Sequence, residues 1–188
     1  MHSVEQIKTF LEKNLTNFRY LHSLMVAEIA RELAQVYHVD EGKAYLAGLI
    51  HDIAKEFNEK KNKNFILKYG LSEKLLYDCY KELVHADIGA LIAKEKFGFD
   101  EDICNAIKYH TIGNIYMDTF AKIIFIADKI GRKKLNSNLL KVKEFAYYGK
   151  LDQALLFFLL SQKKKLEKDC ISMHPHTLCL IELLQNNC

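Results

Sequence analysis

The sequence predicts an all-α protein, a single-domain helical bundle, on three observations. Apolar residues recur at spacings of three and four almost from end to end, alternating strand-like runs bounded by turns are nearly absent, and 188 residues hold one proline and eight glycines. A chain of this length can bury a sizeable core as one domain, and no linker or internal repeat divides it. The bundle core is expected at about residues 18–135, with C-terminal helices over about 136–188 packed on it.

Each element has its own signal. Val4, Ile7 and Leu11 predict a short first helix. Phe18, His22, Met25, Ile29, Leu33 and Val36 predict a second and put His22 on its buried stripe. Asp40 caps a third, which carries Ala44, Ala47, Gly48, His51, Asp52 and Lys55, with small residues that let neighbouring helices approach closely. Residues 58–64 read as a polar, lysine-rich linker and residues 65–80 as one or two short helices. "LVHADIGALIAKEKFG" opens another helix with His85 near its start. "DEDICNAIKYHTIG" follows, with Ile103, Ala106, Ile107 and His110 on one stripe, ended by Thr111 and Gly113. "DTFAKIIFIADKIG" puts Phe120, Ile124 and Asp128 on one face, an acid where the core should be. Two or three helices fill the remainder, interrupted by a turn-like "HPHT" at 174–177.

Composition narrows the function classes. A net charge of +3 is too small to point to nucleic acid, and "NEKKNKN" and "SQKKKLEK" read as solvated surface. Five cysteines without a C-x-x-C pair argue against a disulfide framework and a zinc ribbon. The N-terminus lacks signal-peptide character, and the longest apolar run, "ALLFFLL", is too short to span a bilayer. The expectation is a reduced, cytoplasmic protein with no membrane and no nucleic-acid partner.

"GLIHDIAKE", residues 48–56, sets a histidine beside an aspartate in an otherwise apolar segment. A lone histidine there would usually be a hydrogen-bonded core residue. Burying a carboxylate without a cation is costly, however, and Lys55 supplies only part of the charge that Asp52 asks for. Polar residues at other core-facing positions, His22, His85, His110 and Asp128, make a group that a bundle can gather into one metal site. A His/Asp mixture without cysteine suits iron, manganese, magnesium or zinc, and affinity trends do not select among them.

The order H…HD…D, carried by His22, His51, Asp52 and Asp128, resembles the HD superfamily of metal-dependent phosphohydrolases. More closely, "RYLHSLMVAEIARELA", "AGLIHDIAKE", "LVHADIGA", "AIKYHTIG", "IIFIADKI" and the later "MHPHT" are similar to segments of the YqeK-type symmetrical diadenosine tetraphosphatases, over roughly residues 19–180. The resemblance implies an HD-type bundle in which His22, His51, Asp52 and Asp128 hold one iron. His85 and His110 extend the site toward a second metal that Asp52 could bridge, and Asp52, His85 and His110 are the catalytic candidates. Lys55, His85, His110 and Thr111 would face the nucleotide phosphates, together with His22, Asp52 and Asp128. The family usually has an arginine six residues after the aspartate of "AD". Here Lys134 holds that position and Arg132 stands two residues before it, so either cation can take the role.

The implied reaction is hydrolysis of diadenosine tetraphosphate to two ADP, with a metal-activated water attacking a bridging phosphorus in line. A dinucleoside polyphosphate and the products ADP or GDP are the expected partners, and a homodimer is compatible with the sequence. Two other readings remain at this level. One is an HD-fold di-iron oxygenase of small organic substrates, disfavoured by the cations near the site, and the other a non-catalytic nucleotide sensor, disfavoured by the complete ligand set.

Overall fold

The computed structural model describes residues 3–72 and 83–187. Ten helices follow one another among these residues, with no strand: α1 (Val4–Asn14), α2 (Asn17–Val36), α3 (Glu41–Ile50), α4 (Glu59–Tyr69), α5 (Val84–Phe97), α6 (Glu101–Tyr109), α7 (Thr119–Ile130), α8 (Ser137–Tyr147), α9 (Leu151–Lys168) and α10 (Pro175–Asn187). Their starts are written in the sequence. Ser3, Thr16, Asp40, Asn58, Asp100, Asp118 and Asn136 each place a side-chain oxygen on the N–H three residues ahead. Pro175 opens α10, where its missing N–H costs nothing.

The most apolar helix, α7, lies at the centre. Phe120, Ile123, Ile124, Phe125, Ile126 and Ile130 are all buried, so it is covered on every side rather than along one stripe. Helices α2, α3, α6, α8 and α9 pack around it, α5 closes on α6, and α10 lies on α9. The tightest approach joins α2 and α3. A Cβ on Gly48 would stand 2.8 Å from the Ala27 Cα and 3.0 Å from the Val26 carbonyl oxygen, so only a hydrogen fits there.

Several elements differ from the sequence reading. Of the stripe Phe18, His22, Met25, Ile29, Leu33 and Val36, Leu33 alone is fully buried, and the rest lie on the rim of the buried face of α2. The buried line runs through Ser23, Val26, Ala27, Ala30 and Leu33, and Phe18 is 70% exposed. Alanines fill the centre because α3 comes so close, which leaves the bulky residues at the edges. The third helix stops at Ile50. His51, Asp52 and Lys55 occupy successive turns closed three residues back, Ile53 N–H to Ile50, Lys55 N–H to Asp52 and Phe57 N–H to Ala54.

Residues 59–64 are not a linker but the first turns of α4. Asn58 caps the helix, and Ile66 is its buried anchor, with Phe65 packed partly against the core beside it. Of the helix or helices expected over residues 65–80, α4 accounts for the part up to Tyr69, and residues 73–82 lie outside the described residues. Three C-terminal helices are present as expected, but the turn-like "HPHT" is mostly the start of α10: the break covers residues 171–174, and the helix begins at Pro175. No helix among the described residues is long and apolar enough to cross a membrane.

The α2–α3 contact gives the first prediction. Gly48→Ala pushes a methyl into backbone atoms that cannot rotate away, and overpacking of this kind costs about 1–3 kcal/mol. Thermal denaturation should show Tm lowered by on the order of 2–12 °C. An unchanged Tm would mean that α2 and α3 separate at little cost.

Candidate metal centre

Five segments bring the predicted cluster together. His22 comes from α2, His51 and Asp52 from the turns after α3, His85 from the first turn of α5, His110 from the end of α6 and Asp128 from the last turn of α7. His51, Asp52, His85 and His110 are buried, while His22 and Asp128 stand at the mouth with side chains 13% exposed. Asp128 Oδ1 lies 3.1 Å from His22 Nε2 and 3.5 Å from His51 Nε2. Asp52 Oδ2 lies 3.4 Å from His51 Nε2, and Asp52 Oδ1 lies 3.3 and 3.5 Å from the Nε2 atoms of His85 and His110.

The backbone decides which nitrogen carries each proton. His22 Nδ1 donates to the Gly131 carbonyl (2.8 Å), His51 Nδ1 to Gly48 (2.7 Å) and His110 Nδ1 to Ile107 (2.6 Å). A carbonyl only accepts, so Nδ1 holds a proton in all three, and Nε2 is the nitrogen turned toward the carboxylates. This outer support is what metal-bound histidines use. His85 is arranged differently. The Lys55 ammonium lies 3.4 Å from its Nδ1, which therefore accepts, and Nε2 keeps its proton facing His110 Nε2 at 3.2 Å and Asp52.

Electrostatics separate the groups further. Burial opposes ionisation of Asp52, yet His51 and the hydrogen bonds from His110, His51 and His85 hold its carboxyl far below the usual range. Asp128 is likewise held well below its ordinary value against burial, by Lys129, His22 and His51. Burial also opposes charge on His51, but Asp52 and Asp128 outweigh it and lift the ring to about 10. Burial pushes His85 down to about 4 and lowers His110, in each case against the pull of Asp52.

The donor set fits a metal ion. His51 Nε2 is fully buried, has no hydrogen-bond partner and faces two ionised carboxylates. Two carboxylates facing one nitrogen call for a positive charge between them, supplied by a proton on His51, whose pKa they raise, or by a metal ion in its place. His22, His51 and Asp128 form one group whose ligand atoms lie within 4.8 Å of one another, and His51, Asp52 and His110 form a second. The two groups share His51.

Two further residues belong here that sequence reasoning missed. Arg19 Nη1 lies 2.6 Å from Asp52 Oδ2, and the Lys129 ammonium bonds both Asp128 Oδ2 (2.7 Å) and the His110 carbonyl (3.0 Å). Each had a signal. Arg19 precedes His22 by three residues on a helix, hence on the same face, and Lys129 is a cation in an otherwise apolar helix, where lysine is buried only if paired. Of the expected phosphate contacts, Lys55 reaches the cluster through His85, and Thr111 buries a hydroxyl that has no hydrogen-bond partner. Arg132 lines a cavity of about 580 Å³ beside His22 and Asp128 and another of about 590 Å³ beside Thr111 and Lys129, whereas Lys134 is exposed and lines neither.

Gly131 does not turn the chain through a left-handed conformation, since its φ is −74°. It is glycine because a Cβ would stand 2.7 Å from Val26 Cγ2 where α2 crosses the end of α7. That crossing brings the Gly131 carbonyl onto His22.

Comparison with known proteins agrees with this geometry. The HD domain family matches residues 19–133. A Staphylococcus aureus protein named bis(5'-nucleosyl)-tetraphosphatase, symmetrical, is 36% identical over 155 residues, 81% of this chain and 79% of its own length. A Halalkalibacterium halodurans protein of the same name is 35% identical over 89% of each chain. The crystal structure of a predicted HD superfamily hydrolase involved in NAD metabolism, from Clostridium acetobutylicum, superimposes with a TM-score of 0.91 at 32% identity, covering both chains completely. With a complete His/Asp cluster and this full-length similarity, the chain belongs to the HD-domain family of hydrolases, in its symmetrical bis(5'-nucleosyl)-tetraphosphatase branch.

Proposed function

We propose that the protein is a metal-dependent hydrolase that cleaves diadenosine tetraphosphate symmetrically to two ADP. The observation that carries this reading is the convergence of His22, His51, Asp52 and Asp128 around an unpartnered His51 Nε2, in a chain similar over most of its length to proteins named for that reaction. His22, His51, Asp52 and Asp128 hold the first metal, with iron favoured by the family resemblance, and His110 and Asp52 extend the site toward a second. When bound, such an ion lowers the pKa of water from about 15.7 toward 7, so that a nucleophile exists at neutral pH.

The chain's own residues do the rest. Asp52 offers one oxygen on each side of the cluster, toward His22 and His51 and toward His85 and His110. His85 keeps a proton on Nε2, held there by the Lys55 ammonium at Nδ1, and can donate a hydrogen bond from it to a leaving phosphate oxygen. Arg19 has an Nε without a hydrogen-bond partner, and with Arg132 it supplies planar donors matched to phosphate oxygens.

A symmetrical cut needs room for a nucleotide on both sides of the scissile bond. One cavity of about 580 Å³ opens beside His22 and Asp128, and another of about 310 Å³ opens beside Lys55 and His85. These two cavities receive the two halves.

Chromatography of early products should show ADP alone from diadenosine tetraphosphate. AMP and ATP in equal amounts would overturn the symmetrical assignment, and O2-dependent turnover of a non-phosphorylated substrate would favour an oxygenase.

Asp52→Ala should lose more metal and more activity than His85→Ala, because Asp52 faces both groups of ligands. Its loss in kcat/KM should exceed the about 10- to 100-fold typical of removing a group that only supports a ligand. The fold should survive, since the cation leaves with the carboxylate. A full metal complement in purified Asp52→Ala, read by elemental analysis, would remove Asp52 from the ligand set.

Arg132→Ala should lower kcat/KM by on the order of 10- to 100-fold at moderate salt with metal content unchanged, as expected for a lost hydrogen bond to a charged group. Lys134→Ala should change the rate only a few-fold, because an exposed charge is screened. The reverse order would put the polyphosphate on the Lys134 side of the turn.

A further inference from the structure

Phe18 is an anomaly that the hydrolytic site does not absorb. It is 70% exposed and Leu21 is 42% exposed, although Phe18 sits four residues before His22, on the stripe that the sequence marks as core. Among the described residues, none covers this wall. It forms one side of the cavity of about 580 Å³ whose other lining includes Arg19, Arg132, Lys133, His22 and Asp128. The cavity is therefore split: an aromatic and aliphatic wall at one end, three cations beyond it, and the mouth of the metal cluster. A nucleoside diphosphate has the same division, with a flat base at one end and a polyanion at the other.

We infer that Phe18, backed by Leu21, is the platform on which the base of one nucleotide half stacks while its phosphates run past Arg19 toward the cluster. The inference rests on the phosphohydrolase reading above and adds the residue that recognises the base. Base–aromatic stacking needs only a π-face and leaves the base edges unread, so this half of the site takes a purine by its area and not by its hydrogen-bonding pattern. Arg19 supports the same placement. Its guanidinium lies 5.9 Å from the Phe18 ring and 2.6 Å (Nη1) from Asp52, which links the platform to the cluster through one side chain.

The test compares ADP with inorganic pyrophosphate as ligands of the metal-loaded protein by calorimetry, in the wild type, Phe18→Ala and Phe18→Tyr. The wild type should bind ADP about 5- to 100-fold tighter than pyrophosphate, the range that stacking on an aromatic ring provides. Phe18→Ala should lose that advantage without losing metal, its KM for diadenosine tetraphosphate rising by a similar factor, and Phe18→Tyr should keep it. Because Phe18 is so exposed, its truncation leaves the core intact. The inference is overturned if Phe18→Ala keeps the ADP advantage, if neither protein prefers ADP, or if the variant changes only the sedimentation coefficient, which would make the wall a contact between copies of this chain. Normal cleavage with a KM indifferent to Phe18 sinks the platform alone. A Phe18-dependent preference for ADP in a protein that cleaves no dinucleoside tetraphosphate sinks the proposed reaction alone.

Discussion

Two carboxylates meeting inside a helical bundle are the constraint on which this structure depends. Asp52 and Asp128 both turn an oxygen toward His51, at a point where water cannot solvate them. Isolated, each buried charge would cost far more than a domain's net stability can absorb. Arg19 and Lys129 each bond one of these carboxylates through its Oδ2, at 2.6 and 2.7 Å. The inner side is left to four histidines. Three of these turn Nε2 inward, and the two carboxylates call for a positive charge there, a proton on His51 in the metal-free protein. On the proposed reading, a bound ion would take the place of that proton.

Much of this was legible in the sequence because its signals are local. The cap at Asp40 is a single residue with a single role, and the helical period of α6 and α7 follows from residues such as Ile103, Ile107, Phe120 and Ile124. The His/Asp set was legible for a different reason. A carboxylate or histidine on an apolar stripe conflicts with its surroundings, and such conflicts gather at functional sites.

What was illegible depends on contacts between distant segments. The apolar stripe of α2 could not reveal that alanines, not Phe18 or Met25, would face α3, because that follows from the 2.8 Å approach at Gly48. The end of α3 at Ile50 was hidden because "GLIHDIAKE" keeps helical composition through the turns that follow. Residues 59–64 looked like a linker because α4 buries Ile66 and little else, so its period is faint. Arg19 and Lys129 were passed over because an arginine or lysine in sequence is usually a solvated charge, and only the fold shows the carboxylate that each one meets.

The orientation of the helix ends explains why a bundle builds such a site at all. Every α-helix leaves its last carbonyls without intrahelical partners. Here His51 and His110 each sit at a C-cap and donate Nδ1–H to the carbonyl three residues back, Gly48 in α3 and Ile107 in α6. His22 does the same to Gly131 at the C-cap of α7. One set of hydrogen bonds thus satisfies three helix ends and fixes three rings. These C-termini also carry the negative ends of their helix dipoles, which favour a cation where they converge. The opposite end of a helix is treated differently. The N-terminus of α2, which could attract an anion, is already bonded by the Glu56 carboxylate through the Thr16 N–H and hydroxyl. On the proposed reading, phosphate binding beside it would fall to side chains, Arg19, Arg132 and Lys133, which line the cavity walled by Phe18. Backbone carbonyls at fixed helix ends would then orient the metal-binding rings while rim side chains held the substrate, so the two affinities could vary independently on one scaffold.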